Sequence, residues 1–509
     1  MENAIAYIVE QLMGGETDLK RLKNESARRF GLQTTPRNSE ILAYARKKGA
    51  VQLLKQLRKR PMRTRSGVTP IAVMIKPQGS CSWGCIYCPF TGKAAKSYTG
   101  EEPAALRSRQ NNFDPFLQTQ SRIKQFESCG HPTDKCEVIV MGGTFLAMDK
   151  EYKNYFIKNI YDALNERPGQ SLEEAKRINE TARHRAIGLT VETRPDICVQ
   201  YVDEILNFGA TRVELGVQHP DDGIYAKTNR GHGTKEVVET TEVLKNAAFK
   251  VLYHIMPGLP LSGPEKDIEM VKRLFADERF RPDMLKIYPT LVIPGTKLYE
   301  MQRNGEYEPY DAEEAAEVIS EFYRHIPGYV RVMRIQRDIP ATKIHAGVKK
   351  SNLRELVEAK LREKGIPVQE IRYREIGWKE NTQPLEMHRM DYQASKGKEI
   401  FLSFENEKCI AAFLRLRIPG ESMRPEINEE CALVRELHVY GDEVSLAQEG
   451  AVQHRGMGSQ LLEEAERIAK EEFGRKRMVV ISGVGVREYY YRRGYRMHGA
   501  YVARELAQK

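Results

Sequence analysis

Three cysteines crowd into eight positions of this sequence, Cys81-Ser-Trp-Gly-Cys85-Ile-Tyr-Cys88. Thiolates at Cys-x3-Cys-x2-Cys spacing are soft ligands suited to iron–sulfur chemistry or zinc. Three sulfurs on one short loop can hold three irons of a 4Fe-4S cluster and leave the fourth iron open. A tetrahedral structural zinc would want a fourth Cys or His nearby, and this loop has none. Iron–sulfur is therefore the expectation, with zinc as the alternative. Eight cysteines in 509 residues are too few for a disulfide scaffold, and the other five, Cys129, Cys136, Cys198, Cys409 and Cys431, read as small core residues.

A second candidate for chemistry lies near the C-terminus. The segment Gln453-His-Arg-Gly456-Met-Gly458 follows a strand and precedes an amphipathic helix, LLEEAERIAKEEF (461–473). Glycines there let backbone N–H groups turn toward an anion, and the helix N-terminus adds partial positive charge, so a pyrophosphate is a natural ligand. A tight turn without a ligand is the plainer alternative. The same alternative applies to Gly142-Gly143-Thr144, a turn after an apolar run.

These residues need a frame. From about 70 to 300 short apolar runs recur between charged, helix-like segments: IAVMIKP (71–77), EVIVMGG (137–143), AIGLTVET (186–193), TRVELGVQ (211–218), KVLYHIMPGLP (250–260) and MLKIYPTLVI (284–293). Strand alternating with helix predicts βα units around a parallel sheet, whose sites lie at the carboxyl ends of the strands. The cysteine loop, the Gly142 turn and Glu192-Thr-Arg194-Pro-Asp196 all fall there. A polar stretch at 346–390 breaks the pattern. A second sheet then begins at EIFLSFENEKCIAAFLRLRI, where an Asn-centred turn joins two strands, and continues with LVRELHVYG (433–441) and MVVISG (478–483). The expected organisation is α/β: a basic helical module (1–68), a partial βα barrel (69–345), a linker (346–390) and an α+β domain (391–509).

The net charge is +10, which favours a polyanionic partner, and basic residues greatly outnumber acids between Lys20 and Arg65. Many fall on segments with helical apolar spacing, such as Ile41, Leu42, Tyr44 and Val51, Leu53, Leu54, Leu57. No run approaches eighteen apolar residues, and MENAIAYIVEQLMGG lacks a basic n-region, so no membrane span, no secretory signal and a cytoplasmic location are expected.

At the cysteine loop the sequence resembles the radical-SAM superfamily, and the Gln-x-x-Gly-x-Gly order within strand–loop–helix–strand resembles GNAT-type acetyltransferases. GLTVETRPD (188–196), RVELGVQ (212–218), TNRGH (228–232), LKIYPTLVIPGTKLYE (285–300) and RIQRDIP (334–340) together resemble the catalytic subunit family of Elongator, over nearly the whole chain. The resemblance implies a radical-SAM barrel and a GNAT domain. It also implies a 4Fe-4S cluster on Cys81, Cys85 and Cys88, with S-adenosylmethionine near Tyr87, Gly142, Gly143, Thr144, Glu192 and Arg194. Acetyl-CoA is implied near Lys135, Glu436, Leu437, His438, Val439, Met457, Gly458, Ser459 and Tyr490, with Tyr490 and Lys135 as catalytic candidates.

The implied reaction is addition of an acetyl-derived carbon radical to C5 of a wobble uridine (position 34), then thioester hydrolysis to 5-carboxymethyluridine. Partners would be a tRNA anticodon stem-loop and an electron donor; other Elongator subunits cannot be inferred from this chain. One departure stands out. Where many archaeal and bacterial members carry a cysteine-rich zinc motif, this sequence reads PVQEIRYREIG, with Val368, Glu370 and Tyr373 at the cysteine positions, so no zinc is expected. A protein lysine acetyltransferase with a structural Fe–S domain is the competing reading.

Overall fold

The computed structural model describes residues 1–50, 52–53, 57, 67–77, 81, 83–143, 145–376, 383–421, 424–440 and 456–506. At the N-terminus, helices α1 (Glu2–Met13), α2 (Leu19–Arg29) and α3 (Asn38–Lys47) close on a small core that includes Ile8, Leu12, Leu22, Ile41 and Leu42. The Asp18 carboxylate accepts the Arg21 N–H and caps α2. Arg28, Arg29, Arg46 and Lys47 occupy last turns, where the helix dipole favours cations. The basic run 58–66 lies outside the described residues.

Seven parallel strands follow in sequence order: β1 (Val68–Met74), β2 (Lys135–Met141), β3 (Arg185–Thr193), β4 (Arg212–Gln218), β5 (Lys250–Ile255), β6 (Met284–Ile287) and β7 (Arg331–Ile335). Each pairs with the next, and among the described residues β7 does not pair with β1, so the barrel is partial and open along that edge. The alternation read from the sequence takes this form because each outward row of Val, Ile and Leu is covered by a crossover helix.

The second sheet has the order β13-β14-β12-β11-β10-β9-β8, built from β8 (Glu386–Ala394), β9 (Gly397–Glu405), β10 (Ile410–Ile418), β11 (Cys431–Val439), β12 (Arg477–Val480), β13 (Arg496–His498) and β14 (Tyr501–Glu505). The expected turn is centred on Asn406, whose side-chain oxygen accepts the Lys408 and Cys409 N–H groups. Only β11 and β12 are parallel, and their register ends at Val434↔Val480 while β11 runs on to Val439. Between the sheets, the segment read as a linker carries the helix Leu353–Glu363. There Glu370 is buried and accepts N–H groups of Val332, Arg372 and Tyr373, so a carboxylate ties the segment to β7.

The second sheet docks on the amino ends of the barrel strands. Arg435 bridges to Asp283 at 2.6 and 2.8 Å and to Glu399 at 2.9 Å, and donates to the Phe249 carbonyl at 2.7 Å. Arg417 pairs with Glu399 at 2.8 Å and donates to Asn246, while Arg415 pairs with Glu436 at 2.9 Å and reaches the Tyr329 carbonyl. All three arginines are 0–1% exposed. No helix among the described residues is long and apolar enough to cross a membrane.

Losing one member of such a cluster strands the others. Arg435→Leu is expected to lower unfolding free energy by about 3–5 kcal/mol, read from the urea midpoint. Arg467→Leu, which breaks exposed pairs with Glu464 and Glu471, should cost no more than about 1 kcal/mol.

Candidate functional site

The carboxyl ends of the barrel strands converge on a cavity of about 680 Å³. Cys81, Cys85 and Cys88 line it from the loop after β1, with Cys85 buried and the other two half-buried. The loop is held from several sides. Lys96 donates to the Cys81 and Trp83 carbonyls, Asn229 donates to the Gly84 carbonyl, and the Arg194 guanidinium lies 5.5 Å from the Trp83 ring centre. Gly231, at φ +76°, passes so close to Trp83 that a Cβ would sit 2.2 Å from the ring, which requires glycine there.

Burial pushes the Cys85 thiol up, yet the guanidiniums of Arg230 at 3.6 Å and Arg194 at 3.9 Å outweigh it and hold it below the ordinary thiol range. Cys88 behaves oppositely, pushed up to about 11 by burial and by Cys85. Cys85 and Cys81 both act on Cys88, so the three sulfurs are neighbours, but they do not form a set within 4.8 Å of one another. Three thiolate donors lining one cavity suit a multinuclear iron–sulfur cluster that keeps one position open toward that cavity.

Tyr87 packs between two small clusters around Ile86, Val292 and Met256, Leu259, with Arg230 and Cys85 as electrostatic neighbours. Gly142 adopts φ +127°, and a Cβ there would meet Ile75 at 2.6 Å. Its N–H donates to Glu192, which also accepts from Tyr98 at 3.0 Å and stands 4.0 Å from Lys286. Gly143 borders open cavity; Thr144 lies outside the described residues. Arg194 forks onto Asp196 at 2.9 and 3.1 Å and donates to the Arg230 carbonyl. Glu192 and Arg194 therefore reach the same cavity with separate partners.

The cavity also holds residues that the motifs did not single out. Glu214, Glu192 and His254 present ligand atoms within 4.8 Å of one another, and the Lys286 ammonium sits against Glu214 as its cation. Burial pushes the Glu214 carboxyl up, yet Lys286 and then His254 outweigh it and hold the carboxyl far below its usual range. Charged residues at alternate positions of otherwise apolar strands were the available signal for these groups. Along the open edge Arg107, Arg122, Arg334 and Arg337 line the cavity, with Arg337 stacked 5.5 Å from Tyr98.

The second candidate site lies in the other sheet. Glu436, Leu437, His438 and Val439 occupy the stretch of β11 that diverges from β12. Gly456, at φ +81°, opens the helix Met457–Arg467, and Ser459 accepts from Arg493 at 2.6 Å. Tyr489 lies over Gly458, where a Cβ would approach its hydroxyl at 3.3 Å. Tyr490 is buried edge-on between Tyr489 and Tyr495, and burial keeps its phenol protonated. Gln453, His454 and Arg455 lie outside the described residues. Lys135 is remote in sequence but starts β2 beside Arg185, whose Cβ a side chain at Gly485 would strike. The fold thus brings the lysine to the second sheet's docking surface.

Family models match in chain order: the ELP3 N-terminal domain over residues 1–65, the radical SAM superfamily over 75–274, the radical SAM C-terminal domain over 282–363 and the GNAT acetyltransferase family over 368–495. The chain is 50% identical over 531 aligned positions to a tRNA uridine(34) acetyltransferase of Methanocaldococcus infernus, covering 99% of each. It is 40% identical to Elongator complex protein 3 of Homo sapiens, over 99% of this chain and 96% of the relative. The solved structure of archaeal M. infernus Elp3 with an N-terminal deletion (1–46) matches with a TM-score of 0.78 at 48% identity, covering 86% of this chain and 99% of that one.

Arg230 has the larger charge effect on Cys85, so Arg230→Leu should move ionisation of this thiol to higher pH. Alkylation of metal-free protein across a pH series, followed on the Cys85 peptide by mass spectrometry, should show the shift. An unchanged profile would remove Arg230 from that role.

Proposed function

Since this chain belongs to the Elongator complex protein 3 (Elp3) family, we propose that it is a tRNA-modifying enzyme that converts wobble uridine to 5-carboxymethyluridine with S-adenosylmethionine and acetyl-CoA. The observation that carries the reading is the joining of two unlike sites in one body. A three-cysteine loop stands over a cavity lined by charged side chains, and a sheet with a splayed parallel strand pair is locked beneath it by buried ion pairs. An acetyltransferase alone needs no such cavity, and a radical enzyme alone needs no such sheet.

In this reading Cys81, Cys85 and Cys88 hold a 4Fe-4S cluster, whose iron, electron and bound S-adenosylmethionine supply an adenosyl radical for removing hydrogen from carbon. Arg230 and Arg194 favour the thiolate at Cys85 that such ligation requires. Glu192 fixes the Gly142 turn, keeping the glycine backbone open toward the cavity where the methionine end would lie. On the second sheet, the unpaired edge of β11 from Glu436 to Val439 receives the pantetheine arm. Met457, Gly458 and Ser459 place backbone N–H groups at a helix start for the pyrophosphate. Tyr490 carries its proton at neutral pH and serves as donor to the departing thiolate, with Lys135 at the acyl end.

The open edge explains how a nucleic acid would enter. Arg107, Arg122, Arg334 and Arg337 offer phosphate contacts beside the gap between β1 and β7. A wobble base is unpaired in the free tRNA, so turning it into the cavity breaks no duplex. The basic faces of α2 and α3 extend the phosphate-binding surface.

The test is anaerobic incubation of reconstituted protein with acetyl-CoA, S-adenosylmethionine, a reductant and tRNA bearing a wobble uridine, followed by mass analysis of digested nucleosides. Wild type should yield carboxymethyluridine, Cys85→Ala none, and Tyr490→Phe roughly 10²-fold less, the low end for a lost general acid. Acetylation of a protein lysine that survives Cys85→Ala, with no modified nucleoside, would favour the competing acetyltransferase reading.

A further inference from the structure

The two candidate sites sit at opposite ends of the same parallel strands. The cysteine loop, Gly142 and Arg194 follow strand carboxyl ends, whereas the second sheet meets Phe249, Asp283 and Tyr329, each just before a strand begins. Whatever both sites act upon must cover the distance between them.

The interior along that path differs from a filled barrel. Closed βα barrels stack branched aliphatic side chains in layers. Here charged groups recur from floor to mouth on one wall: Glu137 with Arg212, then Glu214 with Lys286, then Glu192. Two positions beside this wall are small. Ala72 borders the cavity, and a Cβ at Gly188 would meet only Thr211 Oγ1 at 3.5 Å and Glu137 Cγ at 4.0 Å. The cavity follows this wall from Cys81 down to Pro70, Glu137 and Arg212. Beneath that floor lies β11 of the second sheet. Lys250 is an electrostatic neighbour of both Glu137 and Glu436, and both carboxylates act on His438.

We infer that the half-barrel interior is a corridor for an acyl thioester, whose acyl end rises from the β11/β12 splay past the Glu137–Arg212 pair into the cavity. This rests on the acetyl-CoA half of the proposed function and adds the route. The nucleic acid then uses the other entrance, the open edge between β1 and β7, and the two substrates do not compete for one door. Charged walls suit the amides and carbonyl of a pantetheine thioester, and enclosure keeps water from the thioester in transit.

A CoA thioester with a diazirine at its acyl terminus tests the route without cluster or nucleic acid. It is bound to the full chain, irradiated, and its adducts are mapped by peptide mass spectrometry. Adducts are expected on β2 and β4 peptides containing Glu137, Ile139 or Glu214. Gly188→Leu, which fills the space beside Glu137, should suppress them by roughly tenfold or more, as forced overpacking implies, with affinity for acetyl-CoA retained. If Gly188→Leu loses that affinity, Ala72→Leu narrows the same passage from β1 and decides the matter.

Adducts confined to peptides containing Arg334 or Arg337, and indifferent to both substitutions, would overturn the corridor while leaving the acetyl-CoA reading in place. Failure of wild type to bind acetyl-CoA at all would remove the underlying reading and the corridor with it.

Discussion

Everything in this molecule that concerns two sites at once depends on the buried ion cluster of Asp283, Arg435, Glu399, Arg417 and Lys245. Taking such charges out of water costs several kcal/mol each, and only close opposite charges and hydrogen bonds return that cost. The cluster meets the condition: Asp283 contacts Arg435 at 2.6 Å and Lys245 at 3.3 Å, and Glu399 contacts Arg435 at 2.9 Å and Arg417 at 2.8 Å. An apolar contact tolerates sliding; a fully desolvated set of guanidiniums and carboxylates does not. The second sheet therefore has one register on the barrel.

That register fixes what each site faces. Because Arg435 lies on β11, the strand that carries Glu436 to Val439, the lock and the candidate acyl site share one backbone. A β-bulge at Arg435 interrupts the alternation, so Arg435 and Glu436 both face the barrel, Arg435 on Asp283 and Glu436 on Arg415, which itself reaches the Tyr329 carbonyl. Leu437 and Val439 pack against the second sheet's own apolar cluster, while His438 stacks on Phe413 with ring centres 5.8 Å apart. The same economy appears at the barrel mouth, where Arg194 and Arg230 both immobilise the cysteine loop and set the charge on Cys85.

The sequence made some of this plain. A three-cysteine loop is local, so spacing alone reveals a ligand set; Gly142 and Gly456 announce positive φ through residue type. Strand–helix alternation gave the parallel sheet, because each buried strand must be apolar whatever its neighbours are. Arg230 was visible within TNRGH but carried no sign of its task, since its target, Cys85, lies 145 residues away. Glu214, His254 and Lys286 are single charges in three separate strands, and only the pairing of those strands brings them together.

What the amino-acid sequence determined by itself is the set of parts: a sulfur-rich loop, a glycine turn, a βα series, a strand–loop–helix suited to a pyrophosphate, and a basic N-terminal module. Each depends on residues within about one turn or one strand of one another, where covalent connection supplies the proximity. What only the tertiary structure decided is how the parts face each other. Lys135 starts β2 beside Arg185 at the docking surface, the two sites take opposite ends of one barrel, and a cavity lined by charged groups runs down to Glu137 and Arg212. Those outcomes follow from long-range ion pairs such as Arg435–Asp283, 152 residues apart, whose strength exists only after burial has removed the water between them.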